Sequence, residues 1–445
     1  MQRLIINNFK QISHADIEIK DFLLLIGPQA SGKSTIAKLI YFFKFIQQYY
    51  IDLFSIDAGE LTSEEVMLKF NMRIINKFQE YFSFFDLTDP NFQIQFFLSD
   101  KSKKSISLKV GNNKVKISYS TVMHDALTDS IRKILNLQKQ SRHLAEYDSD
   151  HEMKIRSEFY GRVVKESCDI FEDYKSGLYI PAGRNITVTF SEQFQMLFFG
   201  QLADEQRQQH IGGNEEEIIR SFMLHSKRLV DFFSKGYREK LDSPFGKVVL
   251  DMARKILMGN YKNENGFESI IVDENNSVSL GNASSGQQES IRIIQDLIYI
   301  ICSKRNTTRF IEEPEAHIYP ETQKLLIELL VLVANHCHIQ MIVTTHSPYV
   351  LSTFNNMLYY SKVLKAHPSK REEIERHFLS ETLNTANEEF LGINAENFEA
   401  YSLDAYRDVY CQTIKDNSTQ LIGDNFFDKE TEKLNQDFAF LYNLM

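Results

Sequence analysis

The chain has 445 residues and a formal net charge of −10. That is length enough for one elaborate domain or two around a large core, and the charge argues against a surface uniformly built to coat DNA, though not against a local basic groove. Hydrophobic residues at 43% and charged residues at 25% are ordinary globular material, while the dispersed Cys168, Cys302, Cys337 and Cys411 form no CxxC pair and suggest neither a disulfide framework nor a zinc site.

Met1 to Lys10 lacks the apolar core of a secretory signal, and even the run Leu325 to Val333 is interrupted by Glu328. A cytoplasmic protein with no membrane partner is expected. The first elements read as a hairpin of strands (RLIINNF, ADIEI), then a short apolar strand, Phe22 to Ile26. Next comes GPQASGKS, Gly27 to Ser34, and a segment of helical apolar spacing from Thr35 to Ile46.

Strand, GxxxxGK[ST] loop and helix together form a phosphate-binding loop. Dense phosphate charge calls for backbone N–H groups, a helix N-terminus, a lysine and a magnesium ligand. Gly27 and Gly32 permit the tight path, and Pro28, Gln29, Ala30 and Ser31 complete the loop around the phosphates. Lys33 is placed to reach the β- and γ-phosphates of ATP, Ser34 to put its hydroxyl on Mg²⁺, and Thr35 follows as the helix continues.

Ser99 to Lys116 holds lysines 101, 103, 104, 109, 114 and 116 against one acid, Asp100, and its GNN turn suggests a hairpin. Such lysines protect a sheet edge or meet nucleic acid or a protein partner. The chain then turns mainly helical, over Asp129 to Leu137, His151 to Tyr174 and Glu216 to Asn260. A short strand and turn at Gly177 to Asn185 (GLYIPAGRN) interrupts it.

Gly281 to Glu289 (GNASSGQQE) precedes a helical segment, Ser290 to Cys302. Ser284 and Ser285 suit the N-cap, where first-turn N–H groups attract an anion. Phe310 and Ile311 end a strand at Glu312 and Glu313, where ligands of α/β sheets bind. Glu312 is expected to orient Mg²⁺ and its waters, and Glu313 to polarise the attacking water. A helix, Glu321 to Asn335, and a strand, Ile339 to Thr344, then bring His346 to the same sheet edge. His336, Cys337 and His338 fall on extended chain and so cannot share one metal ion. The tail from Ser352 mixes helix and loop and ends amphipathic, with Leu434, Phe438, Leu441 and Met445 on one face.

On these motifs, GPQASGKS, ASSGQQ, FIEEPE and TTHS in that order, the chain resembles an ABC-type ATPase of the SMC, RecF and OLD group. Ala283 and Ser285 stand where the signature LSGGQ has leucine and its first glycine, and Glu312 stands where most relatives have aspartate. The resemblance implies an α/β, ABC-type P-loop NTPase head of two lobes, residues 1–120 and 266–351. A helical insertion at 121–265, too short and heptad-poor for a long coiled coil, is expected to be compact, and 352–445 forms a C-terminal extension.

It also implies that Ser284, Ser285, Gly286 and Gln287 act in trans on ATP held by another subunit, that His346 is the switch histidine, and that His317 lies in a loop crossing the dimer interface. Arg184 is the only substitute for the group's glutamine loop. The tail is too short for a TOPRIM nuclease domain, so no intrinsic nuclease is expected. The stand-alone shape is similar to the ATPase subunits of the anti-phage systems Septu and PARIS, PtuA and AriA.

The expected function is therefore an ATP-binding, slowly hydrolysing scaffold and sensor. It would be a homo-oligomer joined through ATP-sandwiched heads, a dimer or larger, holding a separate nuclease or toxin effector and answering a phage trigger protein. The alternative is a RecF/SMC-like DNA-repair ATPase that clamps DNA directly. A transporter motor is disfavoured because nothing implies a membrane partner.

Overall fold

A computed structural model describes residues 1–55, 61–82, 91–147, 151–189, 215–264, 266–371, 373, 392–404, 409–423, 435–436 and 439. The hairpin β1 (Gln2–Phe9) and β2 (Ile12–Ile19) precedes β3 (Phe22–Ile26). Helices α1 (Lys33–Ile51) and α2 (Ser63–Tyr81) lead to β4 (Gln93–Phe97), β5 (Ser105–Gly111) and β6 (Lys114–Tyr119), then to α3 (Thr121–Tyr147) and α4 (Glu152–Phe171). There follow β7 (Ser176–Ile180), the single turn α5 (Ile186–Thr189), α6 (Glu215–Ser234), α7 (Pro244–Leu257), β8 (Asn260–Glu264), β9 (Phe267–Ile271) and β10 (Ser277–Ser279). The chain continues through α8 (Ser285–Ser303), β11 (Thr307–Glu312), α9 (Pro320–Cys337), β12 (Gln340–Thr345), α10 (Pro348–Ala366), β13 (Phe398–Leu403) and β14 (Cys411–Thr413).

Two compact units form, and they interleave along the chain. The first is Met1–Lys20, Thr35–Gly177 and Asp404–Cys411; the second is Asp21–Ser34, Leu178–Leu403 and Gln412–Met445. The divisions expected near 120, 265 and 351 follow contiguous segments, whereas the chain visits the second unit early, for β3 and the loop after it, and returns later.

In the first unit an antiparallel sheet runs β2-β1-β4-β5-β6. Alternation along β1 buries Leu4 and Ile6. The core there is largely aromatic: Phe43 of α1 stacks on Phe96 of β4 at 5.1 Å, and Phe42 meets Phe78 of α2 edge-on at 5.5 Å. Thr62 and Glu65 form a capping box that starts α2. The expected hairpin is β5–β6, closed by Asn112 and Asn113, both at φ 56°. Asparagine tolerates that left-handed pair, which suits the twist of a two-residue hairpin. Helices α3 and α4 of the expected insertion pack on each other.

In the second unit the main sheet runs β14-β13-β3-β12-β11-β7, with β3 parallel to both β12 and β13, and β12 parallel to β11. Every residue of β3, β11 and β12 is buried, which explains why β3 reads as the unbroken apolar run FLLLI rather than as alternation. Helix α9 packs on α7, α8 and α10. Strand β13 comes from the tail that sequence patterning assigned to helix and loop, yet it is a buried neighbour of β3.

His336 and Cys337 belong to the last turn of α9 rather than to extended chain, and His338 caps it in the left-handed region at φ 54°. His336 stacks on Phe245 at 3.7 Å, and no metal-holding cluster of His, Cys, Asp or Glu occurs among the described residues. No helix among the described residues is long and apolar enough to cross a membrane. The amphipathic face expected at Leu434, Phe438, Leu441 and Met445 lies outside the described residues.

Candidate functional site

Parallel register places three strand ends side by side. Thr345 of β12 lies opposite Ile26 of β3, and Thr344 lies opposite Glu312 of β11. The loop Gly27–Ser34, the pair Glu312–Glu313 and His346 therefore emerge at one carboxyl edge, the binding edge of an open α/β sheet.

The loop turns through Gly27 (φ 154°), Ala30 (φ 58°) and Gly32 (φ 90°). A Cβ on Gly27 would fall 2.3 Å from the carbonyl oxygen of Leu403, so β13 makes glycine necessary there as much as phosphate access does. Gln29, Ala30 and Ser34 are exposed, Pro28 and Thr35 are half-buried, and Ser31, Gly32 and Lys33 are buried. The Lys33 ammonium donates to the carbonyls of Gly27 and Pro28, each at 2.8 Å. Burial lowers its pKa, while Glu313, Glu315 and Glu312 pull the other way. A phosphate would compete with those two carbonyls for the same ammonium.

Glu313 lies in the left-handed region at φ 43°. Its carboxylate stands 3.3 Å from Nδ1 of His346, and its N–H donates to the carbonyl of Thr344 at 2.9 Å. His346 is held from behind by Glu315, whose Oε1 accepts from the His346 backbone N–H at 2.9 Å and from the Thr345 hydroxyl at 2.5 Å. Glu313 and His346 are partly exposed, whereas Glu315 is buried. This arrangement presents a carboxylate and an imidazole to an incoming water or phosphate and fixes both from the protein side.

Glu312 points elsewhere than its neighbour. It accepts from the Tyr179 hydroxyl at 2.5 Å and the Ala182 N–H at 3.2 Å. Each carboxylate oxygen keeps a lone pair for a metal-bound water. The buried Thr344 Oγ1 and Glu315 Oε2 make no hydrogen bond. These groups and the Ser34 hydroxyl are all oxygen donors, the ligand type that magnesium prefers.

Ser284 caps α8 in a capping box with Gln287: its hydroxyl accepts from the Gln287 N–H, and the Gln287 side chain accepts from the Ser284 N–H at 3.0 Å. Gln287 also donates to the Leu257 carbonyl at 2.8 Å. Ser284 and Ser285 are exposed, and neither Ser284 nor Gln287 bonds to the loop Gly27–Ser34. Gly286 packs so tightly that a Cβ would sit 2.7 Å from the His317 carbonyl oxygen.

Behind this turn, one face of α8 carries three buried charges in a row. Glu289 pairs with Arg184, Arg292 with Glu268 at 2.7 Å, and Asp296 with both Arg309 at 2.6 Å and His225 at 2.7 Å. Burial alone would raise the Asp296 pKa, but Arg309 and His225 outweigh it and hold that carboxyl well below the usual range. Sequence reading missed Glu315, Tyr179 and Glu289 and kept Arg184 only as a glutamine-loop substitute. The available signals were the third glutamate in EEPE and the strand-ending PAGR.

A family model described as AAA ATPase domain matches residues 1–351. No curated protein matches significantly. Among solved structures, an SMC head bound to the C-winged helix domain of ScpA is 11% identical, with 79% of this chain and 90% of that one covered at a TM-score of 0.37. The SMC head domain from Thermotoga maritima is 13% identical over 79% and 90% at 0.35, and the recombination mediator RecF 10% over 78% and 93% at 0.30. These overlaps are too loose to bear on function.

Proposed function

The chain belongs to the AAA ATPase domain family, and from that premise we propose that it is an ATP-operated clamp whose copies pair head to head, each completing the nucleotide site of the other. The carrying observation is a division within one chain. Lys33, Glu313 and His346 share a sheet edge, while Ser284 and Ser285 at the cap of α8 are exposed and the Ser284 side chain bonds only to Gln287. A helix N-terminus with free donors suits phosphate oxygens brought by a second copy.

In this reading the loop N–H groups and Lys33 hold the phosphates, and Glu313 takes a proton from the attacking water. His346 steadies the transferred phosphate, and Glu315 keeps His346 in place. Mg²⁺, held through Ser34 and waters on Glu312, would supply charge neutralisation. Turnover is slow, as befits a switch. The output is a separate nuclease or toxin, released when a phage trigger engages the complex. The described tail supports that view, because β13 is spent on completing the ATPase sheet.

The test is co-expression with the neighbouring gene and mass measurement with and without ATP. An ATP-dependent dimer or larger ring that carries the neighbour's product supports the proposal; a mass unaffected by ATP, with no companion, rejects it.

A second reading, direct DNA clamping, is favoured by one observation. Lys109 and Lys116 are exposed and directly opposite on β5 and β6, with Lys114 beside them. Like charges facing across a sheet are destabilising unless an anion meets them. ATP-dependent duplex binding with a steep salt slope would favour this reading over the first.

A further inference from the structure

We propose that Arg184 is a positioning residue that holds the Glu313 peptide in its left-handed conformation and ties it to Glu289, at the base of the exposed signature turn. The inference deepens the clamp reading and rests on it for the role of Glu313, but the geometry stands on its own.

Arg184 has no exposed surface. Its NH1 donates to the carbonyls of Glu312 at 2.5 Å and Pro181 at 3.0 Å, and its NH2 to the carbonyl of Glu313 at 2.9 Å. On the other side Nε donates to the carbonyl of Glu289 at 3.1 Å, and the backbone N–H of Arg184 to the Glu289 carboxylate at 3.0 Å. One planar guanidinium thus spans the end of β11 and the second turn of α8. Only arginine offers a rigid fork with donors on both sides.

Glu313 needs such a hold. A non-glycine residue at φ 43° is strained and persists only where its surroundings over-determine it. Its N–H is fixed by the Thr344 carbonyl, and its own carbonyl accepts from both Arg184 and the Ala316 N–H. Removing the fork frees one face of that peptide and lets the carboxylate drift from His346. Glu289 lies less than one turn beyond Gly286. Whatever docks on the signature turn therefore loads the residue that sets Glu313.

The experiment uses the full chain carrying Arg184→Lys, which keeps the charge but loses the fork, with Glu289→Gln as a milder second variant should the first not fold. Two quantities are read: amide hydrogen exchange at Glu313 and Ala316 without nucleotide, and steady-state ATP hydrolysis beside ATP affinity. The proposal expects exchange at both amides to speed about tenfold or more, and kcat to fall about tenfold or more while the Kd for ATP stays within about twofold. Unchanged exchange at Glu313 and Ala316 in a folded variant overturns it, as does a loss confined to ATP affinity. If the wild-type chain hydrolyses no ATP, the clamp reading falls while the exchange result still decides the role of Arg184.

Discussion

The carboxylate of Glu313 and Nδ1 of His346 stand 3.3 Å apart, joined because β11 and β12 are parallel neighbours in register. A carboxylate beside an imidazole can share the proton of an attacking water, and that pairing sets the first expectation. Glu313→Gln keeps the shape and loses the base, so hydrolysis should fall by roughly 10²–10⁴-fold with ATP trapped in the paired form. An unchanged turnover rate would assign the water to another residue.

Lys33→Ala removes the one buried ammonium at the loop, leaving phosphate charge without its closest partner. Affinity for ATP should drop on the order of a hundredfold or more, the roughly 3 kcal/mol lost when one member of a desolvated charge pair is deleted. Isothermal calorimetry giving wild-type affinity would falsify the phosphate-loop assignment.

Ser284→Arg places bulk and charge on the exposed cap of α8. Each copy should still bind ATP as wild type does, while ATP-driven pairing and turnover are both lost. Sedimentation showing normal assembly, with normal hydrolysis, would end the idea that this turn works across copies.

Gly286→Ala sets two effects against each other. Alanine favours a helix by about 1 kcal/mol over glycine, but its Cβ would press on the His317 carbonyl at 2.7 Å, and overpacking typically costs about 1–3 kcal/mol. Backbone cannot yield as a side chain can, so the clash should win and the melting temperature should fall. A rise would mean that the first turn of α8 has room to spare.

Asp296→Asn probes the buried charges of α8. The folded pKa of Asp296 lies below its unfolded value, so its stabilisation is complete above about pH 4 and is lost as pH falls toward the folded pKa. Near neutrality the variant should lose about 3–5 kcal/mol, because Arg309 is left buried without its counter-charge. That gap should narrow by on the order of 0.5–1 kcal/mol at about pH 3.5. Denaturant titrations at the two pH values that give a constant or wider gap would contradict the assignment.

The parts of the site that were readable in advance are those whose chemistry is local. The loop Gly27–Ser34, the acidic pair after Phe310–Ile311 and the cap at Ser284 each announce themselves within a few residues. What stayed hidden depends on which distant segments become neighbours. A guanidinium buried at Arg184 looks in sequence like any surface arginine, and Glu315 looks like one more acid in a turn until register brings Thr345 and His346 beside it. Strand β13 was missed for want of length and context, since FEAYSL, with a glutamate and a serine, reads poorly as a central strand. His336 and Cys337 were misplaced because α9 runs past its last apolar residue and stops at a histidine rather than a glycine.

The place of β13 governs the order in which the molecule can be built. The strand carrying the phosphate loop, Phe22–Ile26, is made about 370 residues before one of its two flanking partners, Phe398–Leu403. Until then β3 keeps an open apolar border of the kind that invites wrong pairing. Translation must therefore reach Leu403 before β3 gains this neighbour, and a chain cut short before Phe398 would be left with that border permanently bare.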